Sequence, residues 1–197
     1  MIDTSPIPSP VPQKKSNFFK EVVIFGGIAL IIVLPIRFFI AQPFIVSGDS
    51  MDPTFANNQY LIVDEISYRL EPVHRGDVVI FKYPNDQTKY FIKRVIGLPG
   101  ETVQIEGTKV TIKNATNPQG ITLTENYIAP QNFVTDHVLI TLGQNQYFVM
   151  GDNRGASFDS RSWGPVDKSL IIGRPLLRLF PLSQIGIFPG ESLVTNR

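Results

Sequence analysis

Two apolar runs joined by a polar turn, "GDVVIFKYPNDQTKYFIKRVIGLPGE" (residues 76–101), decide the fold class of this chain. Both runs are short and rich in β-branched and aromatic residues, which favours strands over helices. Proline and asparagine at 84–85 mark the turn between the runs, and Pro99-Gly100 ends the second run. The stretch therefore predicts two β-strands.

The same pattern recurs on both sides of this stretch, with turn signals between the runs. The further predicted strands are "QYLIVDEISY" (59–68), "TVQIEG" (102–107), "KVTIK" (109–113), "DHVLITL" (136–142) and "QYFVMGD" (146–152). We therefore predict a mainly β domain over residues 42–197, either barrel-like or built from coiled sheets. A late apolar stretch, 169–188, contains too many Gly and Pro residues to be a second membrane span.

Composition narrows the classes of function. The 197 residues are 43% hydrophobic and carry a net charge of +1, which predicts one globular domain and gives no reason to expect a nucleic-acid partner. The absence of cysteine excludes disulfides, thiolate metal sites and cysteine nucleophiles. The only histidines, His74 and His137, are far apart in the chain, so we expect neither a metal site nor a cofactor.

The N-terminal region predicts a membrane anchor. Residues 1–16 are rich in Pro and Ser and are expected to form a disordered cytoplasmic tail. Residues 17–41 contain an apolar run that is long enough to cross a bilayer if Arg37 extends towards the headgroups. The alternative is a cleaved signal peptide, but Phe39 stands where a small residue would be needed two positions before Ala41.

Charge around the anchor predicts its orientation. Lys14, Lys15 and Lys20 precede the apolar run, so the positive-inside rule leaves the N-terminus in the cytoplasm. We therefore expect a single-pass protein of the cell membrane whose residues 42–197 lie on the extracytoplasmic side, periplasmic or lumenal.

Adjacent basic residues stand in the middle of the second run. Alternate residues of a strand share a face, so Lys93 lies with Phe91 and Val95 while Arg94 lies on the other face. Unless both lie at the rim, one basic side chain points onto an apolar inner face. A buried lysine has a lowered pKa and its neutral amine can act as a general base, which a guanidinium cannot.

Two polar loops are candidates for chemistry. "SGDSMDPTF" (47–55) follows the anchor; it is either a loop where the chain leaves lipid or the site of a nucleophile, Ser50, held at the membrane surface. "GDNRGASFDSRSWGPV" (151–166) is a charged surface loop, a calcium loop whose spacing fits no EF-hand, or a polar layer that fixes a lysine amine.

Taken together and in this order, these motifs resemble type I signal peptidases, the membrane-bound serine proteases that remove signal peptides. The resemblance covers residues 20–190 and is weakest over 104–146. The matching stretches are "SGDSMDPTF" (47–55), "RGDVVIF" (75–81), "KRVIGLPGE" (93–101) and "GDNRGASFDSRSWGPV" (151–166), behind an N-terminal anchor.

The resemblance implies a role for each matched residue. Ser50 would be the nucleophile and Lys93 the general base, a Ser-Lys dyad in place of Ser-His-Asp. Ser157 matches the hydroxyl that orients the lysine amine. Asp159 and Arg161 match a structural ion pair beneath the site.

The resemblance also implies the substrate. Secretory precursor proteins with small residues at positions −1 and −3 would bind in pockets beside the lipid bilayer. The residues that match the pocket lining are Val46, Met51, Phe55, Phe91 and Ile92. One position departs from the pattern: Gly48 stands where some members carry a serine that donates to the oxyanion, which leaves the backbone N–H of Ser50 as a donor.

Three other classes share parts of this pattern. A self-cleaving repressor uses the same Ser-Lys logic but needs a DNA-binding helical domain in place of the anchor. A Ser-His-Asp hydrolase needs His74 or His137 beside Ser50. A non-enzymatic, membrane-tethered β domain would show the same anchor and strands without a buried Lys93.

Overall fold

Antiparallel strands make up most of the computed structural model, which describes residues 18–35 and 41–191. The strands are β1 (Ala41–Ile45), β2 (Tyr60–Asp64), β3 (Val78–Tyr83), β4 (Asp86–Gly97), β5 (Thr102–Gly107), β6 (Lys109–Lys113), β7 (Ile121–Thr122), β8 (Asp136–Thr141), β9 (Gln146–Met150), β10 (Val166–Asp167), β11 (Ile171–Phe180) and β12 (Gly186–Ile187). The helices are α1 (Phe18–Pro35), α2 (Ser67–Leu70) and α3 (Ser160–Trp163). The prediction of a mainly β fold is confirmed.

Two sheets contain all of these strands. The larger sheet has the order β1-β2-β11-β3-β4-β9-β10, with β12 paired to β11, and the smaller sheet has the order β7-β6-β5-β8. Strand β4 is central to the site because it pairs with β3 along most of its length but with β9 only from Arg94 onwards. The residues of β4 before Arg94 therefore have a strand edge that β9 does not pair with.

Three apolar clusters hold this arrangement together. One lies between the smaller sheet and the ends of β4 and β9, around Val103 and Phe148. The second packs under α3, around Phe81 and Val149. The third supports the segment between β1 and β2, around Phe55. Burial of such side chains contributes about 1.5–3 kcal/mol each, which stabilises the frame under the polar loops.

The predicted strand over 59–68 is only partly correct, because β2 ends at Asp64. The Asp64 carboxylate accepts hydrogen bonds from the backbone N–H groups of Ile66 and Ser67, at 2.9 and 3.1 Å. These bonds turn the chain into the single helical turn of α2. A carboxylate that captures nearby backbone donors in this way competes with strand pairing.

Part of the predicted membrane anchor is described as helix α1, while the predicted tail (1–16) and residues 36–40 lie outside the described part of the chain. Within residues 18–35 and 41–191, the structure contains no helix with both the length and the apolar character that crossing a membrane requires. The single-pass anchor stays a prediction.

Candidate active site

Ser50 lies in the loop between β1 and β2, and its backbone is held from two sides. Its carbonyl oxygen accepts from the backbone N–H of Asn153 at 3.1 Å. Two residues earlier, the N–H of Gly48 donates to the Asn57 side chain at 3.0 Å. Gly48 has a φ of 89°, in the left-handed region that favours glycine, and this lets the chain turn sharply before Ser50.

Lys93 reaches Ser50 from β4. Its Nζ donates to Ser50 Oγ at 2.6 Å and to the carbonyl oxygen of Ile92 at 3.0 Å. Lys93 is only 4% exposed, and no ion pair within the described part of the chain includes it. Burial lowers the pKa of its amine from 10.5 to about 8, against the more distant charges of Asp159 and Asp152, which raise it.

Arg94 is also buried, on the other face of β4. Its guanidinium binds the Asp152 carboxylate through two hydrogen bonds, at 2.8 and 2.6 Å. It donates further to the carbonyl oxygens of Gly76 and Gly190, each at 2.8 Å. The sequence pattern requires only one of the two adjacent cations to point inwards; the structure buries both, because Arg94 has a carboxylate of its own.

The segment from 151 to 163 lies beside the contact between Ser50 and Lys93. Asp159 is buried and accepts from Arg161 Nε at 2.8 Å, and it also accepts from the backbone N–H of Gly151 at 3.1 Å. Burial opposes ionisation of Asp159, but the Arg161 charge and these hydrogen bonds outweigh it and hold its pKa below the ordinary value. The two residues thus form an ion pair next to the Ser50–Lys93 contact.

Ser157 stands in the same loop, and its hydroxyl oxygen is buried. Among the residues that the structure describes, Ser157 Oγ makes no hydrogen bond of good geometry, although its hydroxyl lies close enough to the Asp159 carboxylate to help lower the pKa of that group. It lies against Gly151, where an added Cβ would overlap both Ser157 Oγ and the Ser50 carbonyl oxygen. The structure therefore brings Ser157 to the site without a hydrogen bond to Lys93, and its orienting role stays a prediction.

A cleft of about 280 Å³ opens beside the Ser50–Lys93 contact. Of the five predicted pocket residues, Val46, Phe91 and Ile92 line it. Met51 and Phe55 do not: both are buried in the apolar cluster behind Ser50, because the chain folds back under Ser50 there. They support the loop that carries Ser50.

The lining also includes residues that were not predicted as pocket residues, among them Phe44, Tyr90, Ala156 and Phe158. The rings of Phe44 and Tyr90 are in edge-on contact, with centroids 5.5 Å apart, and Ala156 and Phe158 form a further part of the wall. The period-two pattern of strands could have identified the first pair, since Phe44 alternates with Val46 and Tyr90 with Ile92. No local signal marks the other two.

The alternative of a Ser-His-Asp hydrolase requires a histidine beside Ser50. Neither His74 nor His137 belongs to the described lining of the cleft, and His74 lies beside Asp77 with an exposed imidazole. Ser50 therefore has a lysine, and not a histidine, as its basic neighbour.

The sequence of this chain is similar to those of known proteins. The family described as "Signal peptidase, peptidase S26" matches residues 19–180. Signal peptidase I of Leptolyngbya laminosa is 39% identical over 169 residues, which cover 81% of this chain and 79% of the relative. Probable signal peptidase I-1 of Synechocystis sp. is 38% identical over 204 residues, covering 100% and 97%. Signal peptidase I P of Bacillus subtilis subsp. natto is 36% identical, covering 88% and 95%.

Proposed function

The chain belongs to the signal peptidase family, peptidase S26, whose serine peptidases cleave signal peptides, and we propose that it is a membrane-bound endopeptidase with Ser50 as nucleophile and Lys93 as general base. The observation that carries the proposal is the 2.6 Å contact between Lys93 Nζ and Ser50 Oγ, made by an amine that is 4% exposed. A neutral amine at hydrogen-bond distance from a hydroxyl is suited to accept its proton.

The reaction then follows in two halves. Neutral Lys93 takes the Ser50 proton as Oγ attacks the scissile carbonyl carbon, which gives a tetrahedral oxyanion. The resulting ammonium returns a proton to the departing amine, and the signal peptide stays bound to Ser50 as an ester. Lys93, neutral again, takes a proton from the incoming water as the water oxygen attacks the ester carbonyl carbon. The ammonium then returns this proton to Ser50 Oγ as the carboxylic acid of the signal peptide leaves.

The oxyanion requires hydrogen-bond donors near Ser50. No hydrogen bond among the described residues uses the backbone N–H of Ser50, which makes it a candidate donor. The N–H of Gly48 is bound to Asn57, and Gly48 has no side chain to offer. Oxyanion stabilisation in this chain therefore depends on the Ser50 backbone N–H rather than on a hydroxyl two residues before it.

The cleft is suited to an extended peptide with small side chains. It runs between β1, at Phe44 and Val46, and the part of β4 that β9 leaves uncovered. An extended segment can pair with a strand edge and place alternate side chains into pockets. The space of about 280 Å³ and its aromatic walls favour small residues at positions −1 and −3 of a secretory precursor.

Two observations support a location at the bilayer. Ser50 lies within about ten residues of the predicted anchor, and each extended residue spans at most about 3.5 Å. Apolar side chains are exposed nearby on β1, β11 and β12, including Ile45, Phe180 and Ile187. We propose that the catalytic domain faces the extracytoplasmic side of the cell membrane and contacts lipid there.

The proposal is tested with detergent-solubilised full-length protein and a secretory precursor. We expect the mature N-terminus, read by sequencing, only with protein that retains Ser50; Ser50→Ala should lose at least about 10⁴-fold in kcat/KM. Ser47→Ala is the matched control and should keep most activity, since Ser47 is not held against Lys93. Normal processing by purified Ser50→Ala would exclude the proposed nucleophile.

A further inference from the structure

An aromatic cluster packs on the same face of β3 and β4 as Lys93. It consists of Phe81, Tyr83, Phe91 and Trp163, the only tryptophan of the chain. The ring centroids are 6.2 Å apart for Phe81–Phe91, 5.9 Å for Phe81–Trp163 and 5.8 Å for Tyr83–Trp163, all edge-on or tilted. Pairs with this geometry stabilise one another beyond the area they bury.

One contact in the cluster differs from the others. The ring of Tyr83 stacks on Phe91, with centroids 4.8 Å apart and an interplanar angle of 23°. Phe91 in turn lies 5.5 Å from Lys93 Nζ and lines the cleft, whereas Tyr83 does not line it. Phe91 is therefore the member of the cluster that lies beside the amine, and the ring of Tyr83 covers one face of the Phe91 ring.

The orientation of Phe91 matters because its ring lies beside the amine and lines the same open cleft as Lys93, whereas Val79, the residue paired with Lys93 across β3 and β4, is fully buried. The Ser50 hydroxyl contacts the amine, and Asp152 and Asp159 act on it from the segment after β9. Both carboxylates are bound to arginines. The feature that a substitution in the cluster can change is therefore how well the Phe91 ring keeps water away from the Lys93 amine.

We infer that Tyr83 is a positioning residue, which fixes the Phe91 ring and thereby keeps water away from the Lys93 amine. This inference rests on the proposed role of Lys93 as general base. The Tyr83 hydroxyl takes no part: it accepts a hydrogen bond from the Asn85 side chain at 3.2 Å, at an exposed position. The stacked ring is the functional element.

The test compares two substitutions at position 83 in the full-length protein. Tyr83→Phe keeps the ring, and Tyr83→Leu removes it. In kcat/KM measured from pH 6 to pH 10.5 on a precursor peptide, we expect the acid limb of Tyr83→Leu to move up by about one pH unit. Its kcat/KM should fall about tenfold at pH 7 and approach the wild-type value at the alkaline end. Tyr83→Phe should follow the wild-type curve.

A purely structural role for Tyr83 gives a different result. It would lower kcat/KM of Tyr83→Leu by the same factor at every pH and leave the midpoint unchanged, which would overturn the inference. Cooperative thermal unfolding shows that the variant is folded; should Tyr83→Leu not fold, Tyr83→Met, whose longer and more flexible side chain adapts to the space, repeats the test. Failure of the proposed function is distinguishable, since the wild-type profile itself would then be flat.

Discussion

Lys93 and Arg94 are neighbours on β4, both cationic in water and both buried, yet they differ in their hydrogen-bond and ion-pair partners. Arg94 is bound by the Asp152 carboxylate and by two backbone carbonyls. Lys93 has a hydroxyl and one carbonyl, and the nearest carboxylates are already bound to arginines. The two faces of a single strand thus hold a compensated cation and an uncompensated one.

The difference bears on the proposed role of Lys93 as a general base. Burial alone disfavours a charge, and a carboxylate in contact restores it. Because no carboxylate contacts Lys93, desolvation lowers the pKa of its amine to about 8. At pH 7 roughly one amine in ten is then neutral, against fewer than about one in a thousand for an exposed lysine.

The largest effect is expected when Lys93 is replaced by arginine, the residue at the neighbouring position. Lys93→Arg keeps a cation next to Ser50 but cannot supply a neutral amine, since guanidinium stays protonated in proteins. We expect a loss of at least about 10⁴-fold in kcat/KM on a precursor peptide, equal to the loss in Lys93→Met. An active Lys93→Arg would show that the lysine serves only as a positive charge.

Removal of the compensated cation should affect stability instead. Arg94→Met leaves the Asp152 carboxylate buried without its partner, which costs about 3–5 kcal/mol in the free energy of unfolding measured with urea. The control is the double variant Arg94→Met/Asp152→Leu, which removes both charges and should recover much of the loss. Equal destabilisation of the single and double variants would contradict a role for charge compensation.

Removal of the uncompensated cation should have the opposite sign. The pKa of Lys93 is about 8 when folded and near 10.5 when unfolded, so the unfolded chain binds more protons between these values. The penalty of burying the amine is therefore complete below pH 8 and disappears as pH rises to 10.5. Lys93→Met should raise the free energy of unfolding by up to about 3 kcal/mol at pH 7 and by little above pH 10.5. A destabilised Lys93→Met at pH 7 would contradict the lowered pKa.

Displacement of Ser50, the hydrogen-bond partner of Lys93, should give a smaller effect. A Cβ on Gly151 would overlap the Ser50 carbonyl oxygen and Ser157 Oγ, so Gly151→Ala should displace Ser50 from the amine. We expect a loss of about 10²-fold in kcat/KM, as is typical of small displacements of reacting groups. Gly155→Ala, at an exposed site in the same loop, is the control and should stay near wild type.

Much of the fold is predictable from the sequence because strand alternation and turn residues are local signals. The runs at 102–107 and 109–113 agree with β5 and β6 residue by residue. The run at 59–68 does not, since the capture of backbone donors by Asp64 has no counterpart in a hydropathy pattern.

The site is less predictable, because it depends on contacts between distant segments. Alternation indicates that Lys93 or Arg94 is buried, but not that Asp152 binds one of them. The Gly48 position looks from the sequence like a missing oxyanion donor, yet its φ of 89° shows a turn at which a serine would be strained. Met51 and Phe55 resemble pocket residues and prove to be core, since only the fold decides which side of the loop faces the cleft.

The most direct test of an uncompensated Lys93 is kcat/KM of the wild-type protein on a precursor peptide from pH 6 to pH 10.5. Protonation of the amine removes the base, so activity should fall as pH drops through the lowered pKa. We predict a midpoint near pH 8 and a decline of about tenfold per pH unit below it. A profile that is flat across this range, or a midpoint at the ordinary lysine value of about 10.4, would contradict the account.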